Sequence, residues 1–264
     1  MQNSLSCFLV NKNEQKEITG CLQSVPSDDL PSGDVTIRVV YSSINYKDAL
    51  AATGHPGVVR NFPHIPGIDA AGYVVESKSD RFQVGDAVIV TSYELGVERW
   101  GGWSEFIRVK PEWVVPLPAG LTLKESMNLG TAGLTAAMCV NSLIQHEIPT
   151  DPGNVLVTGA SGGVGSFALS LLKRAGFHPV AVTGKPSAAL RLVELGAREV
   201  IGRDELEDDS KKPLLKARWS AAIDTVGGSI LSNVIRSIQP NGCVAACGNA
   251  GGAELDLTVF PFIL

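Results

Sequence analysis

The chain lacks the features by which membrane-embedded and nucleic-acid-binding proteins are usually identified. No apolar run approaches the ~20 residues of a membrane-spanning helix, and the N-terminal residues show no basic segment followed by a long apolar one. The 22 basic residues are outnumbered by 27 acidic ones, so there is no basic excess for binding phosphates. These absences predict a cytoplasmic protein that acts on a small molecule, with no nucleic-acid or membrane partner.

Cysteine and histidine are few, and their spacing is not that of a disulfide framework or a metal site. The five cysteines include no C-x-x-C pair, and the four histidines form no H-x-x-H or H-E-x-x-H motif. Reduced thiols and the absence of a metal are therefore expected. A hydrolase nucleophile at Ser161 is also disfavoured, because TGASGGVG lacks the G-x-S-x-G pattern.

Two domains are predicted, with the boundary at residue 120. Residues 1–120 contain many short strand candidates separated by glycine and proline, which is typical of a compact β-barrel. Within them, the polar stretch from Asn45 to Pro66 is expected to form a long loop. Thr122 and Glu125 have capping-box spacing, so a helix should begin near residue 123, and the segment GTAGLTAAMCVNSLIQ predicts a second helix.

Residues 121–264 alternate strand and helix patterns, which predicts an α/β domain with a doubly wound parallel sheet. Five strands are visible where this fold usually has six. The chain ends in the apolar sequence LTVFPFIL, whereas a natural terminus is usually polar. We therefore expect either that the C-terminal part of the fold lies beyond Leu264 or that these side chains are covered by a partner.

The stretch from Val155 to Gly176 has the order of a dinucleotide-binding motif, namely a strand, a glycine-rich turn and a helix. Compared with G-x-G-x-x-G, it carries Ala160 in the first glycine position. Glycines allow backbone N–H groups to approach a pyrophosphate, and the helix N-terminus adds partial positive charge. The predicted cofactor contacts in this turn are Ser161, Gly162, Gly163, Val164 and Gly165.

The end of the second strand of this domain decides which dinucleotide is expected. An NAD site would place Asp or Glu there to bind the ribose hydroxyls. The chain instead has Thr183, Gly184 and Lys185, with Arg203 just past the third strand. A hydroxyl, a backbone N–H and two cations suit a 2′-phosphate, so NADPH is predicted as the cofactor. The alternative is that Lys185 is a solvated loop lysine.

A third candidate region is SSINYKDALAATG in the first half of the chain. Asn45 and Tyr46 could donate hydrogen bonds to a nicotinamide or a carbonyl group. Tyr46 could also simply pack against or cap this segment. Lys47 and Asp48 are expected to form an ion pair rather than a catalytic dyad.

The motifs PSGDVTIRV, HIPGIDAAGYV, VGDAVIV, GGWSEF, GTAGLTA and TGASGGVGS, in this order, resemble the medium-chain dehydrogenase/reductase superfamily. NYKDALA, AVTGKPS and GCVAACGNAGG are similar to its YhdH/YhfP group of quinone and acrylyl-CoA reductases. The resemblance implies a GroES-like catalytic domain followed by a Rossmann domain. It also implies the zinc-free branch, because Asn45 and either Ile68 or Asp69 stand where zinc-dependent relatives have metal ligands.

The resemblance further implies an activity, namely NADPH-dependent reduction of an activated C=C bond, as in acrylyl-CoA, with Asn45 and Tyr46 as catalytic residues. An NADPH:quinone oxidoreductase and a catalytically silent NADPH-binding protein remain alternatives. A homodimer is implied if the chain continues through a further strand. The cofactor contacts carried over by position are Tyr46, Thr131, Thr135, Ser161, Gly162, Gly163, Val164, Thr183, Gly184, Lys185, Arg203, Asn249 and Ile263.

Overall fold

The computed structural model describes residues 3–151 and 153–264. The chain divides into two compact units, Met1–Thr131 and Ala132–Leu264. The boundary proposed from the sequence, at residue 120, precedes this division.

The first unit is built from antiparallel strands. A hairpin, β1–β2, stands beside a five-stranded antiparallel sheet in the order β6-β3-β4-β5-β7. Alternation along β5 buries Val88 and Val90 in the core and leaves their neighbours half-exposed, as expected for a sheet with one covered face. The strands are β1 (Ser4–Lys12), β2 (Ile18–Pro26), β3 (Val35–Tyr41), β4 (Asp69–Ser77), β5 (Ala87–Thr91), β6 (Phe106–Val109) and β7 (Val114–Pro116).

The expectation of a continuous loop between Asn45 and Pro66 is wrong, because this segment begins with helix α1 (Tyr46–Ala52). The helix is initiated by a capping box that the sequence analysis overlooked. Asn45 is the N-cap residue, and the Asp48 carboxylate accepts a hydrogen bond from its backbone N–H at 2.8 Å. In a capping box, the side chains of the N-cap residue and of the third helical residue each accept a hydrogen bond from the other's backbone N–H.

Helix α2 (Leu123–Gln145) begins at the residue predicted from the Thr122–Glu125 capping box. Its backbone is not helical at Gly130, where φ is 49°, so two segments follow each other as the sequence indicated. By length and composition α2 could also cross a membrane. The break leaves each segment shorter than the ~20 residues that a span requires, and Leu143 is buried in a protein core. We therefore interpret α2 as a core helix.

The second unit contains the predicted doubly wound parallel sheet, with all five predicted strands. The strand order is β10-β9-β8-β11-β12. The chain runs outward from β8 through β9 to β10 and then returns to the other side of β8 for β11 and β12, so the winding reverses between β8 and β11. In such sheets, ligands bind beyond the carboxyl ends of the strands at this reversal. The elements are β8 (Asn154–Val157), α3 (Gly163–Arg174), β9 (His178–Val182), α4 (Ala189–Leu195), β10 (Glu199–Ile201), β11 (Trp219–Asp224), α5 (Gly228–Arg236), β12 (Ile238–Ala246) and α6 (Phe260–Ile263).

Candidate cofactor and catalytic sites

The glycine-rich turn follows β8 at the reversal point of the parallel sheet. Gly159 has φ +57°, and its carbonyl accepts a hydrogen bond from the N–H of Gly162 at 2.9 Å, which closes the turn. A Cβ added at Gly165 would lie 2.6 Å from the Cα of Ala160, so only glycine lets α3 pack this closely. The N-cap residue of α3 is Gly162, which has no side chain to occupy the first N–H groups. The backbone N–H groups of the first turn of α3 are therefore available to donate hydrogen bonds to an anion.

Ala160 stands in the first glycine position of the G-x-G-x-x-G pattern, but it is not the residue at which the backbone makes the tight turn. The positive φ that the tight turn requires is at Gly159. Ala160 is fully buried, and its N–H donates to the carbonyl of Val182 at 3.1 Å, which joins the turn to β9. The spacing Gly159-x-x-Gly162-x-x-Gly165 was the signal that could have identified the turn residue.

The residues predicted to select the cofactor lie together at the ends of β9 and β10. The hydroxyl of Thr183 donates to Ser161 Oγ at 3.3 Å, which connects β9 to the glycine-rich turn. The backbone N–H of Lys185 donates to Thr183 Oγ1 at 3.1 Å. Arg203 comes from the segment after β10, and a Cβ at Gly184 would lie 2.8 Å from its Nε. Two exposed cations thus stand beside the turn.

Other predicted cofactor residues of the second unit lie on α2, after β12 and on α6. Thr135 is half-buried one turn beyond Ala132, whose Cβ would contact a Cβ added at Gly163 at 3.2 Å. Asn249 follows β12, and its Cα is 3.0 Å from the position of a Cβ at Gly227. Ile263 is an exposed residue of α6 and lies outside the hydrogen-bonded set at β9.

A buried carboxylate joins the ends of β8 and β11, and the sequence analysis did not identify it. Asp224 is fully buried, accepts from the hydroxyl of Thr158 at 2.6 Å and accepts from the N–H of Gly227 at 2.7 Å. Thr225 also donates through its hydroxyl to the carbonyl of Thr158 at 3.0 Å. These bonds fix the two strand ends that flank the glycine-rich turn. The only sequence signal was a polar residue at the end of an apolar strand.

In the first unit, Asp69 is the centre of a polar cluster at the start of β4. Its side chain is fully buried and accepts from the backbone N–H of Thr131 at 2.9 Å and from the Thr131 hydroxyl at 2.7 Å. It also accepts from Asn45 Nδ2 at 2.9 Å and makes a short hydrogen bond with the hydroxyl of Ser43. This role of Asp69 has no local sequence signal, because its partners Asn45 and Thr131 lie 24 and 62 positions away.

The expected ion pair between Lys47 and Asp48 is wrong. Asp48 is fully buried, and its carboxylate accepts from the backbone N–H groups of Ile68 at 2.8 Å and Gly67 at 3.1 Å, whereas Lys47 is exposed. Burial raises the pKa of Asp48, and hydrogen bonds from backbone N–H groups, including that of Asn45, oppose this shift. Asp48 therefore fixes the backbone at the start of α1 and before β4.

The geometry separates the two proposed catalytic residues. Both hydrogens of the Asn45 amide point toward oxygen acceptors, with Nδ2 at 2.9 Å from Asp69 and 3.2 Å from Asp48. Asn45 therefore orients the start of α1. Tyr46 is the first residue of the helix and is 63% exposed, so its hydroxyl is accessible to a ligand.

Family models match both halves of the chain. Residues 31–119 match the alcohol dehydrogenase GroES-like domain, and residues 163–264 match a model described as zinc-binding dehydrogenase. The Bacillus subtilis protein YhfP, named as a quinone oxidoreductase, is 50% identical over 92% of this chain and 74% of its own length. The acrylyl-CoA reductase AcuI of Ruegeria pomeroyi is 43% identical over 98% of this chain and 79% of its own length.

The chain belongs to the YhdH/YhfP family of the medium-chain dehydrogenase/reductase superfamily. Solved members share its fold. The yhdH oxidoreductase from Salmonella enterica, in complex with NADP, has a TM-score of 0.94 at 46% identity, covering 98% of this chain and 79% of its own. The B. subtilis yhfP structure, with NAD bound, has a TM-score of 0.93 at 48% identity, covering 99% and 79%.

The residues of this YhdH/YhfP family member do not fit the zinc ion that the name of the second family model suggests. Within 3–151 and 153–264, no three His, Cys, Asp or Glu side chains lie close enough together to hold a metal ion. The oxygens of Asp69 already accept hydrogen bonds from Asn45, Ser43 and Thr131.

Proposed function

We propose that this protein is a metal-independent, NADPH-dependent reductase of activated C=C bonds, with an α,β-unsaturated acyl thioester such as acrylyl-CoA as its substrate. The observation that carries the cofactor assignment is the hydrogen-bonded set at the glycine-rich turn, in which Ser161 and Thr183 stand beside Lys185 and Arg203. The substrate class is supported by the relatives named acrylyl-CoA reductase. NADPH, when bound, supplies the hydride.

The chain's own residues account for binding and orientation. The N–H groups at the start of α3 would hold the pyrophosphate, and Lys185 and Arg203 would bind the 2′-phosphate. Predicted contacts from Thr135 and Asn249 would complete the cofactor site. Ile263 remains a predicted contact without a supporting interaction.

Reduction of an unsaturated thioester places negative charge on the carbonyl oxygen, and a preorganised donor lowers the barrier most effectively there. We assign this donor role to the Tyr46 hydroxyl, because it is exposed on the first turn of α1. Asn45 then acts as a positioning residue, since its amide hydrogens are directed to Asp69 and Asp48. Thr131 also helps to hold Asp69 in place.

The test is to mix the purified protein with NADPH and acrylyl-CoA and to follow the loss of nicotinamide absorbance. Tyr46→Phe should lower kcat roughly 100-fold, which is the usual cost of one donor to a developing oxyanion. Tyr73→Phe removes a hydroxyl from a half-exposed tyrosine of β4 and should leave the rate unchanged. No NADPH oxidation with any enone, thioester or quinone would refute the enzymatic assignment.

Quinone reduction is the second candidate, because the B. subtilis relative, at 50% identity, carries a quinone oxidoreductase name. The ratio of kcat/KM for acrylyl-CoA to that for a benzoquinone distinguishes the two. A ratio well above one supports the thioester, and a ratio well below one supports the quinone. The homodimer implied by the resemblance and the cytoplasmic location stay predictions.

A further inference from the structure

An exposed tyrosine is stacked on a buried tryptophan at one end of the antiparallel sheet of the first unit. Tyr93 follows β5 and Trp113 precedes β7, and because these two strands pair antiparallel, the two rings meet at the same end of the sheet. The ring centroids are 5.4 Å apart and the ring planes are inclined by 5°, which is an offset-stacked arrangement. Trp113 is 6% exposed and Tyr93 is 62% exposed. Since Trp113 covers one face of the Tyr93 ring, the opposite face is open to solvent.

The backbone that presents Tyr93 adopts an unusual conformation. The angle φ is +67° at Ser92 and +54° at Tyr93, in the left-handed region that bulky side chains rarely adopt. The N–H of Ser92 donates to the carbonyl of Ile68 at 2.8 Å, and Ser92 Oγ lies 3.3 Å from the hydroxyl of Thr131. These bonds hold the turn in place against its conformational cost. Backbone outliers of this kind cluster at ligand-binding sites, so the turn is a candidate for one.

Two cations lie against the ring of Trp113. The Nζ of Lys110 is 5.3 Å from the ring centroid, and the guanidinium carbon of Arg99 is 5.7 Å from it. Lys110 is exposed. In the described part of the chain neither cation forms an ion pair, although Glu98 and Glu112 are close to them in sequence. Their positive charge is therefore available to an anionic group beside the stacked rings.

We propose that the Tyr93–Trp113 stack binds the adenine ring and a phosphate group of the coenzyme A portion of the substrate. The open face of Tyr93 takes the base, because a purine stacks on an aromatic side chain without any need for specific hydrogen bonds. Lys110 contacts the phosphate, since an ammonium group and a phosphate form strong charge-assisted hydrogen bonds. The choice of ligand rests on the proposed function, in which the substrate is an acyl thioester of coenzyme A.

The turn before the stack is connected to Tyr46, the proposed donor to the thioester oxygen, through hydrogen bonds. Ser92 contacts the Thr131 hydroxyl, and both Thr131 and Asn45 donate to Asp69. The side chain after Ser92 turns instead to the buried tryptophan, so the two places are linked but separate. A coenzyme A thioester fits this arrangement, because its pantetheine arm separates the reacting acyl group from the nucleotide. A benzoquinone has no second end to occupy the stack.

The binding experiment titrates adenosine 3′,5′-bisphosphate, the nucleotide end of coenzyme A, into protein saturated with NADP+ in a calorimeter. Tyr93→Asn removes the ring and supplies a residue that tolerates positive φ, so the turn is retained. This variant should raise the Kd for the bisphosphate roughly tenfold, the usual effect of losing one stack between a base and an aromatic side chain. Tyr93→Phe keeps the ring and should restore most of the affinity. Tyr73→Ala, at a half-exposed tyrosine of β4, is the matched control and should have no effect.

A kinetic experiment separates this site from the reacting centre. Tyr93→Asn should raise the KM for acrylyl-CoA roughly tenfold without lowering kcat, whereas the KM for acrylyl-pantetheine, which lacks the nucleotide, should change by less than about twofold. Lys110→Ala should raise the KM for acrylyl-CoA up to about fivefold, and less at high salt.

Three results would each overturn the proposal: no binding of the bisphosphate, equal weakening by Tyr73→Ala, or an equal effect of Tyr93→Asn on both thioesters. The calorimetric measurement requires no turnover. If the protein reduces neither thioester, the proposed activity fails, while the titration with the bisphosphate still decides whether the Tyr93–Trp113 stack binds a nucleotide.

Discussion

Removing the two cations at the ends of β9 and β10 should weaken NADPH binding and leave NADH binding nearly unchanged. Lys185 and Arg203 are exposed and stand beside the hydrogen-bonded Ser161–Thr183 pair. They form no part of a hydrophobic core cluster. Replacing either by alanine therefore removes a charge without opening a cavity. The effect on affinity should come from the lost contact with the 2′-phosphate.

The expected magnitude follows from the strength of hydrogen bonds to a charged group, which contribute about 1.5–3 kcal/mol each. Because Lys185 and Arg203 are exposed to solvent and screened by salt, the contribution of each to binding should lie near the lower value. Each single variant should therefore raise the Kd for NADPH roughly tenfold, and the double variant roughly a hundredfold if the two contacts are additive. NADH has no 2′-phosphate, so its Kd should change by less than about twofold, the size of a surface substitution effect.

The assay is titration of the protein with each dinucleotide in a calorimeter, at two salt concentrations. Arg198→Ala is the matched control, because this exposed arginine precedes β10 at the opposite end of the strand from Arg203. The control should bind both dinucleotides as the unsubstituted protein does. Equal weakening of NADPH and NADH by Arg203→Ala, or the same loss in Arg198→Ala, would refute the 2′-phosphate role.

Two further predictions concern buried polar groups of the first unit. Asp69→Ala leaves the hydrogen-bond donors of Thr131 and Asn45 without their acceptor, so the free energy of unfolding measured in urea should fall by about 2–4 kcal/mol. Asp86→Ala, at an exposed turn, should lower it by less than about 1 kcal/mol, and equal losses would contradict this reasoning. Burial lowers the pKa of His64 below 6.5, so the unfolded chain binds the proton first as the pH falls. The free energy of unfolding that neutral His64 contributes is thus fully present above pH 6.5 and is lost as the pH falls through the lowered pKa. The melting temperature of the unsubstituted protein should therefore fall over this pH range. The same fall in His64→Gln protein would contradict this assignment.

Much of the second unit could be predicted because its signals are local. Glycine spacing, apolar strands of about five residues and amphipathic helices each depend on neighbours in the chain, so the five parallel strands could be identified in order. The same holds for the turn after β9, where Thr183, Gly184 and Lys185 are consecutive. The positive φ at Gly159 shows the limit, because the glycine pattern alone does not indicate which residue of the turn adopts this backbone angle.

The first unit was harder to predict because its polar cluster is assembled from distant segments. Asp69 binds Thr131 across 62 positions and Asn45 across 24 positions, and no local pattern indicates these pairings. The sequence suggested an ion pair for Asp48 because its neighbour is a lysine. Adjacent residues on a helix do not face each other, and the Asp48 carboxylate instead accepts hydrogen bonds from the backbone N–H groups of Gly67 and Ile68.

The sequence by itself determined the α/β class, the glycine-rich turn and the basic residues expected to select NADPH. These features are set by composition and by spacing along a few residues. The tertiary structure decided which side chains remain available for chemistry. Asn45 and Tyr46 are neighbours in sequence, but folding directs the amide of Asn45 into buried carboxylates and leaves Tyr46 exposed. The physical reason is that a side chain's hydrogen-bonding capacity is consumed by partners that only the folded chain brings within reach.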